Sequence, residues 1–86
     1  MPKKIVKVKW IDTSFAADDL STKEAVDLRP LNMITFGILM KDDESSVNIS
    51  STVCLDEKAK DNDYRSTVAI PKTNVISITE LGEENA

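Results

Sequence analysis

The segment KIVKVKWI near the start of the chain constrains the fold more than any other, because its side chains change character at every second position. In an extended chain, successive side chains point to opposite faces. Val6, Val8 and Trp10 therefore share one face, whereas Lys7 and Lys9 share the other. This period of two predicts a β-strand with one buried face and one solvated face.

Four further segments have the character of strands. The nearly continuous apolar run LNMITFGILMK at 31–41 predicts a central strand that is buried on both faces. Gly37, in the middle of this run, predicts a sharp bend, a bulge or the close approach of another backbone, and the alternative is a ligand that lies on the bare backbone. Three more strands are predicted in VNISSTVCL, YRSTVAI and VISI, of which the first two alternate between apolar and polar residues.

The segment DLSTKEAVDLRP, between the first two strands, contains the start and stop signals of a short helix. Ser21 and Glu24 have the spacing of a capping box, in which each side chain accepts a hydrogen bond from the other residue's backbone N–H. Pro30 ends the helix, because the residue before a proline avoids the helical conformation. We predict a helix of two turns at about residues 22–28. The apolar residues of this helix are expected to pack on the sheet or to cover a barrel end: Ala25, Val26 and Leu28.

Five strands and one short helix in 86 residues predict a mainly β fold in a single domain. Chains of this size often close such strands into a small barrel, which removes exposed strand edges. We expect residues 1–81 to form this domain and residues 82–86 to form a flexible acidic tail. Pro71 cannot donate a ladder hydrogen bond, and its fixed φ suits the start of a tight turn. We therefore interpret the interruption PKTN as architecture rather than as a binding loop.

The residue types that are missing argue against catalysis. Histidine is absent, which removes the commonest general base and every histidine-activated nucleophile. Cys54 is the only cysteine, so neither an internal disulfide nor a cysteine zinc site can form. No apolar run approaches the ~20 residues that span a bilayer, and the first residues lack the apolar stretch of a signal peptide. We expect a cytoplasmic protein that is not an enzyme, with no catalytic residue, metal or cofactor.

Two acidic segments, KDDESS and DEKAKDND, stand out in a chain of net charge −4. The second segment lacks the glycine of a calcium-binding loop. Acidic loops of this kind either keep the protein soluble or dock on a basic protein partner. Phe15 stands among polar residues and is either an exposed anchor or a cap over a barrel end. The candidate partner-binding residues are Asp42, Asp43, Glu44, Asp56, Glu57, Asp61, Asp63, Tyr64, Arg65 and Phe15.

The first ten residues, in contrast, carry four lysines and no acid: Lys3, Lys4, Lys7 and Lys9. The main interpretation of these lysines is a solvated strand face. The alternative is an edge that contacts nucleic acid directly, although a nucleic-acid binder usually has a net basic surface. Trp10 is expected in the core, with a role as partner anchor as the alternative.

Several short motifs resemble a group of small proteins encoded by bacteriophages and prophages. The shared pattern comprises VKWID at 8–12, Pro30, TFGIL at 35–39, the acidic turn KDDE at 41–44, IPK at 70–72 and VISITEL at 75–81. The ending VAIPKTNVISI also resembles SH3-like barrels, where a strand, a proline, a single 3₁₀ turn and a last short strand follow in order. The resemblance implies a five-stranded SH3-like or Sm-like barrel with one short helix between strands 1 and 2. It implies phage origin but no activity, since the function of the group is unassigned.

Three functions are compatible with these observations. The first is a non-enzymatic protein-binding module that acts through its acidic loops, as a phage-encoded inhibitor of a host defence or nucleic-acid-processing enzyme such as a CRISPR effector. The second is an Sm-like or SH3-like barrel that binds nucleic acid or a small ligand, in a homo-oligomeric ring or as a monomer. The third is a structural or assembly protein of a virion. Fold alone does not decide between them.

Overall fold

A computed structural model describes residues 2–55 and 63–84 of the chain. Five antiparallel strands form one sheet in the order β4-β3-β2-β1-β5, and one short helix lies between β1 and β2. These findings confirm the predicted mainly β fold and the place of the helix. The elements are β1 (Lys3–Asp12), α1 (Thr22–Asp27), β2 (Leu31–Asp42), β3 (Ser46–Cys54), β4 (Asp63–Pro71), a 3₁₀ turn (Lys72–Asn74) and β5 (Val75–Glu84).

The core joins strands that are not neighbours in the sheet. The inward side chains of β1 pack in one cluster with those of β3 and β4, so the sheet must curl over itself. Burial of each such side chain stabilises the fold by about 1.5–3 kcal/mol before entropic costs. The predicted alternation of β1 is confirmed, because Val6, Val8 and Trp10 are all buried. The cluster is Val6, Val8, Trp10, Val47, Ile49 and Ile70.

The curl of the sheet involves β2. The 3₁₀ turn contacts one end of this strand, where Lys72 forms an ion pair with Asp42. It also contacts the strand beside the other end, where Asn74 Nδ2 donates to the carbonyl oxygen of Ile11, the partner of Asn32. A straight strand of this length would span about 36–40 Å, whereas three residues of 3₁₀ helix span only about 6 Å. The strand must therefore bend strongly between its ends.

Gly37 permits this bend by leaving space for a neighbouring strand. A Cβ atom at this position would lie 2.5 Å from Ile49 Cγ2 and 2.6 Å from the carbonyl oxygen of Ser50. The predicted close approach of a backbone at Gly37 is confirmed. The sheet order leaves β4 and β5 as its edges, so the closure of the described strands into a complete barrel stays a prediction.

The prediction that β2 is buried on both faces is wrong. Only Ile38 of this strand is buried, whereas Ile34 and Phe36 are 55% and 57% exposed. The inward face carries Met33 and Thr35, opposite Trp10 and Val8 of β1. Ile38 shares the outward face with Ile34 and Phe36, so this face is buried at Ile38 but more than half exposed at the other two positions.

Trp10 is a core residue, as expected. Its side chain is 8% exposed, and its Nε1 donates a 2.9 Å hydrogen bond to Thr35 Oγ1 on the neighbouring strand. The indole N–H, which would be costly to bury alone, is thereby satisfied. The bond also fixes β1 against the inward face of β2.

The polar side of β3 includes one fully buried residue, Ser50, which the alternation had placed outward. Its Oγ lies 2.6 Å from the carbonyl oxygen of Arg65 and 3.0 Å from that of Thr52. The reason lies in β4, where Ser66 has a φ of 55°. This left-handed backbone changes the direction of the β3–β4 hairpin. The hydroxyl of Ser50 binds the carbonyls at that point.

The last strand is longer than expected. The predicted turn after Pro71 is present as the 3₁₀ turn, but β5 continues to Glu84 rather than ending near Ile78. Gly82, Glu83 and Glu84, which the sequence assigned to the acidic tail, pair with β1. Their partners include lysines, and opposite charges across a ladder stabilise pairing. The rest of the predicted tail lies outside the described residues.

Candidate functional site

The connection between β1 and β2, residues 13–30, is the longest segment outside the sheet in the described chain. Its helix α1 begins with the predicted capping box: Glu24 N donates to Ser21 Oγ at 3.2 Å, and Ser21 N donates to Glu24 Oε1 at 3.4 Å. These bonds satisfy two N–H groups that a helix start would otherwise leave without partners. The helix is therefore stabilised locally, by its own residues.

The helix has no buried residue, so the prediction that it covers the sheet or a barrel end is wrong for Ala25 and Val26. Ala25 is exposed, Val26 is 73% exposed and Leu28 is 46% exposed. A helix of this length is marginal in water unless packing or capping supports it. The capping box thus supports a helix whose apolar side chains face solvent.

Phe15, in the same connection, is 86% exposed. Of the two alternatives for this residue, the cap over a barrel end is therefore wrong. Its neighbour Ser14 lines a groove that is described below. Phe15 is therefore adjacent in sequence to one wall of that groove.

A groove of about 450 Å³ lies where the connection meets the 3₁₀ turn. The end of β1, the segment after α1 and the 3₁₀ turn form its walls. The bond from Asn74 Nδ2 to the Ile11 carbonyl, at 2.9 Å, holds two of these walls together. The residues that line the groove include Ile11, Thr13, Leu28, Pro30, Thr73 and Asn74. The segment PKTN therefore has two roles, because it joins β4 to β5 and also forms one side of this groove.

The acidic turn between β2 and β3 is held together by Asp43. Its Oδ1 accepts hydrogen bonds from Ser45 N at 2.8 Å, Ser46 N at 3.0 Å and Ser45 Oγ at 2.9 Å. Lys41 Nζ lies 3.2 Å from its other oxygen. The backbone N–H of Ser46, followed by that of Ser45, holds the pKa of the Asp43 carboxyl well below its usual range. Asp43 is thus a weak base with a structural role in the turn.

The two other acids of this turn differ from each other. Asp42 forms an ion pair with Lys72, and the backbone N–H of Lys72 donates to the Ser45 carbonyl at 3.1 Å. The turn is therefore joined to the 3₁₀ turn that lines the groove. Glu44 is exposed and, within the described chain, makes no hydrogen bond or ion pair. Glu44 is the acid of this turn that remains available to a partner.

The second acidic segment is described only at its end. Asp56, Glu57 and Asp61 lie outside the described residues. Asp63 and Arg65 are exposed, and Tyr64 is half-buried, with Lys3 Nζ 5.7 Å from its ring centroid. These three residues of β4 pair with the end of β3 that is farther from the acidic turn, since Cys54 pairs with Asp63 whereas Ser46 pairs with Pro71. The candidate residues therefore form two separate groups.

Sequence reasoning missed the groove and the exposed face of β2. The groove joins Ile11 to Asn74, and no local pattern relates residues that are so far apart in the chain. The structural role of Asp43 could have been predicted from the sequence. An aspartate that precedes serines by two and three residues is typical of a turn that the aspartate side chain closes. Residues 2–55 and 63–84 include no group of three or more histidine, cysteine, aspartate or glutamate residues that could hold a metal ion.

Two further observations concern membrane-spanning segments and similarity to known proteins. Within the described ranges, no helix is long and apolar enough to cross a membrane. Comparison of the chain with protein-family models, with curated proteins and with solved structures finds no match.

Proposed function

We propose that this chain is a non-enzymatic protein-binding module and that its contact surface surrounds the 3₁₀ turn. This docking surface comprises the groove, Phe15, the exposed side of α1 and Glu44 of the acidic turn. The partner class that we favour is a host defence or nucleic-acid-processing enzyme, inhibited by a phage-encoded protein. The phage origin and the inhibitory role rest on the resemblance of the sequence motifs.

The observation that carries the proposal is a capped helix with no buried residue. Folding an 18-residue connection into a defined shape has an entropic cost of about 1–2 kcal/mol per ordered residue, and no side chain of α1 is buried to offset it. Phe15 and Val26 are exposed, and the half-exposed Leu28 lines the groove. An exposed aromatic residue is a common anchor at interaction sites.

The charge of this surface supports a basic partner. The connection carries four acids, Asp18, Asp19, Glu24 and Asp27, against two basic residues, and Glu44 adds a fifth acid on the other side of the 3₁₀ turn. A complementary partner presents a basic surface with an apolar recess for Phe15. Enzymes that process nucleic acids have basic substrate channels, which supports the choice of partner class.

The proposal is tested with purified enzymes of this class, one restriction endonuclease and one CRISPR effector nuclease. Binding is measured by biolayer interferometry, and inhibition is measured by cleavage of a DNA substrate. Phe15→Ser is expected to weaken binding by about 30-fold, which corresponds to a hot spot of about 2 kcal/mol. The pair Asp19→Lys and Glu44→Lys is expected to slow association and to reduce its dependence on salt.

The control is Leu81→Ser, which removes another exposed apolar side chain, 53% exposed against 86% for Phe15, from the distant end of β5. Asp43 is left intact in every variant, because it holds a turn together. If both nucleases bind Phe15→Ser and the wild type equally, the docking surface is misplaced. If neither nuclease binds the wild type, the proposed partner class is wrong.

A further inference from the structure

A second surface, independent of the docking surface, lies on the outward face of the sheet. Two rows of side chains cross three strands there: Phe36, Lys7 and Thr79 form one row, and Ile34, Lys9 and Ser77 form the next. Residues directly opposite each other in a ladder share a face, with Cβ atoms about 4.5–5.5 Å apart. We call these six residues the outer platform.

The outer platform is accessible and has an ordered chemistry. Phe36 and Ile34 are more than half exposed, Lys9, Ser77 and Thr79 are exposed, and Lys7 is half-buried. Each strand contributes one kind of group: β2 contributes apolar side chains, β1 contributes ammonium groups and β5 contributes hydroxyls. The next register positions of β1 and β2 on this face hold Ile5 with Ile38 and Ile11 with Asn32, so no carboxylate interrupts the platform there.

The four N-terminal lysines differ in their partners. Lys4 Nζ lies 3.6 Å from Glu80 Oε2, and Lys3 lies over the ring of Tyr64. Lys7 and Lys9, in contrast, form no ion pair and no side-chain hydrogen bond within the described chain. The two lysines of the platform are therefore the ones whose charge is not compensated by a neighbouring group.

We infer that the outer platform binds single-stranded nucleic acid. Proteins that bind single strands combine cationic groups along the backbone with aromatic side chains on which bases stack. Phe36 supplies the stacking surface, Lys7 and Lys9 supply the cations, and Ser77 and Thr79 supply hydroxyls that donate to phosphate oxygens. Successive residues on one face of a strand are about 6.6 Å apart, a spacing that suits successive phosphates of an extended single strand.

The spacing and charge favour nucleic acid over the other occupants of such a face. If two copies of this chain paired through the outer platform, Lys7 and Lys9 of one copy would face the lysines of the other. An acidic peptide would form ion pairs with the lysines, but its binding would not require the exposed phenyl ring of Phe36 directly opposite Lys7. The negative charge of the remaining surface predicts weak binding that is strongest at low salt.

The test measures fluorescence anisotropy of a labelled oligothymidine of about 15 nucleotides, a length within the range that one small β-barrel module occupies. Phe36→Thr is expected to weaken binding by about 5- to 150-fold, the loss that follows from removing one stacked base. The double change Lys7→Gln and Lys9→Gln is expected to lower the slope of log K against log salt by about 1.4. A duplex of the same length should bind more weakly, because its bases cannot reach Phe36.

The controls are Lys4→Gln, which removes a lysine already paired with Glu80, and Val26→Ser, which removes an exposed apolar side chain on α1. Both should bind as the wild type does. Absence of binding in low salt, or binding that Phe36→Thr leaves unchanged, would overturn the inference. So would light scattering that shows a dimer lost on Phe36→Thr. Because Phe15 lies outside the platform, failure here leaves the protein-binding proposal untouched.

Discussion

The two faces of β2 have similar apolar content and opposite environments. On the inward face, Met33, Thr35 and Gly37 meet the core, a hydrogen bond from Trp10 and the backbone of β3. On the outward face, Ile34 and Phe36 lie opposite Lys9 and Lys7 and are more than half exposed. The inward face is constrained by these contacts, whereas the outward face is buried only at Ile38. This contrast indicates that stability depends on one face and that the other is available for binding.

The largest effect is expected from truncation of an isoleucine in the core. Ile49→Ala should lower the free energy of unfolding by about 2–5 kcal/mol, because it removes buried contacts and leaves a cavity. The matched change on the outward face, Ile34→Ala, should lower it by less than about 1 kcal/mol. Urea denaturation followed by tryptophan fluorescence measures both. Equal losses would show that the outward face is covered after all.

Gly37→Ala tests the close approach between β2 and β3. The added methyl group has no space, since two of the atoms it meets belong to the backbone of Ser50. We expect a loss of about 1–3 kcal/mol in the free energy of unfolding, from strain and displacement of the strands. The measurement is the same denaturation experiment. Gly82→Ala is the control, because a Cβ there meets nothing within 4 Å; a loss of the same size in both variants would contradict the steric explanation.

Thr35→Val tests the polar contact within the inward face. The change keeps the shape and the β-branched side chain but removes the acceptor of the Trp10 Nε1 bond. We expect a loss of about 1–2 kcal/mol, which is the effect of leaving an indole N–H without a partner. Thermal unfolding measures the change, and the emission spectrum of Trp10 reports the altered environment. Unchanged stability and emission would mean that water replaces the hydroxyl.

Phe36→Thr should have the smallest effect on stability, although it is expected to weaken binding at the outer platform. The ring is 57% exposed, and threonine is favoured in strands, so the free energy of unfolding should change by less than about 0.5 kcal/mol. The same unfolding measurement checks this value. A loss comparable to that of Thr35→Val would show that Phe36 is a structural residue, and the contrast between the faces would then disappear.

Local patterns were sufficient to predict elements whose causes are local. The alternation around Val8 predicted β1, the spacing of Ser21 and Glu24 predicted the start of α1, and Pro71 predicted the turn before β5. Gly37 was also interpreted correctly, because a glycine in a strand has few explanations other than close approach or bending.

Features that depend on distant residues were not predictable in the same way. An apolar run such as that around Phe36 looks identical whether or not something covers its second face, and α1 does not cover it. The burial of Ser50 depends on the backbone of Ser66 in another strand. The groove likewise requires Asn74 to meet Ile11. Each of these features is created by contacts between strands rather than by the order of residues within one.

The pairing of β1 with β5 has a consequence for the speed of folding. Lys9 pairs with Ile34, which follows it by 25 positions, and with Ser77, which follows it by 68. The loop-closure entropy for the second pairing exceeds that for the first by about 0.9 kcal/mol, and contacts distant in sequence slow folding in general. On a ribosome, β1 would have only β2 beside it until the last strand emerged. The nascent chain would therefore carry an open, lysine-rich strand edge until β5 had been synthesised.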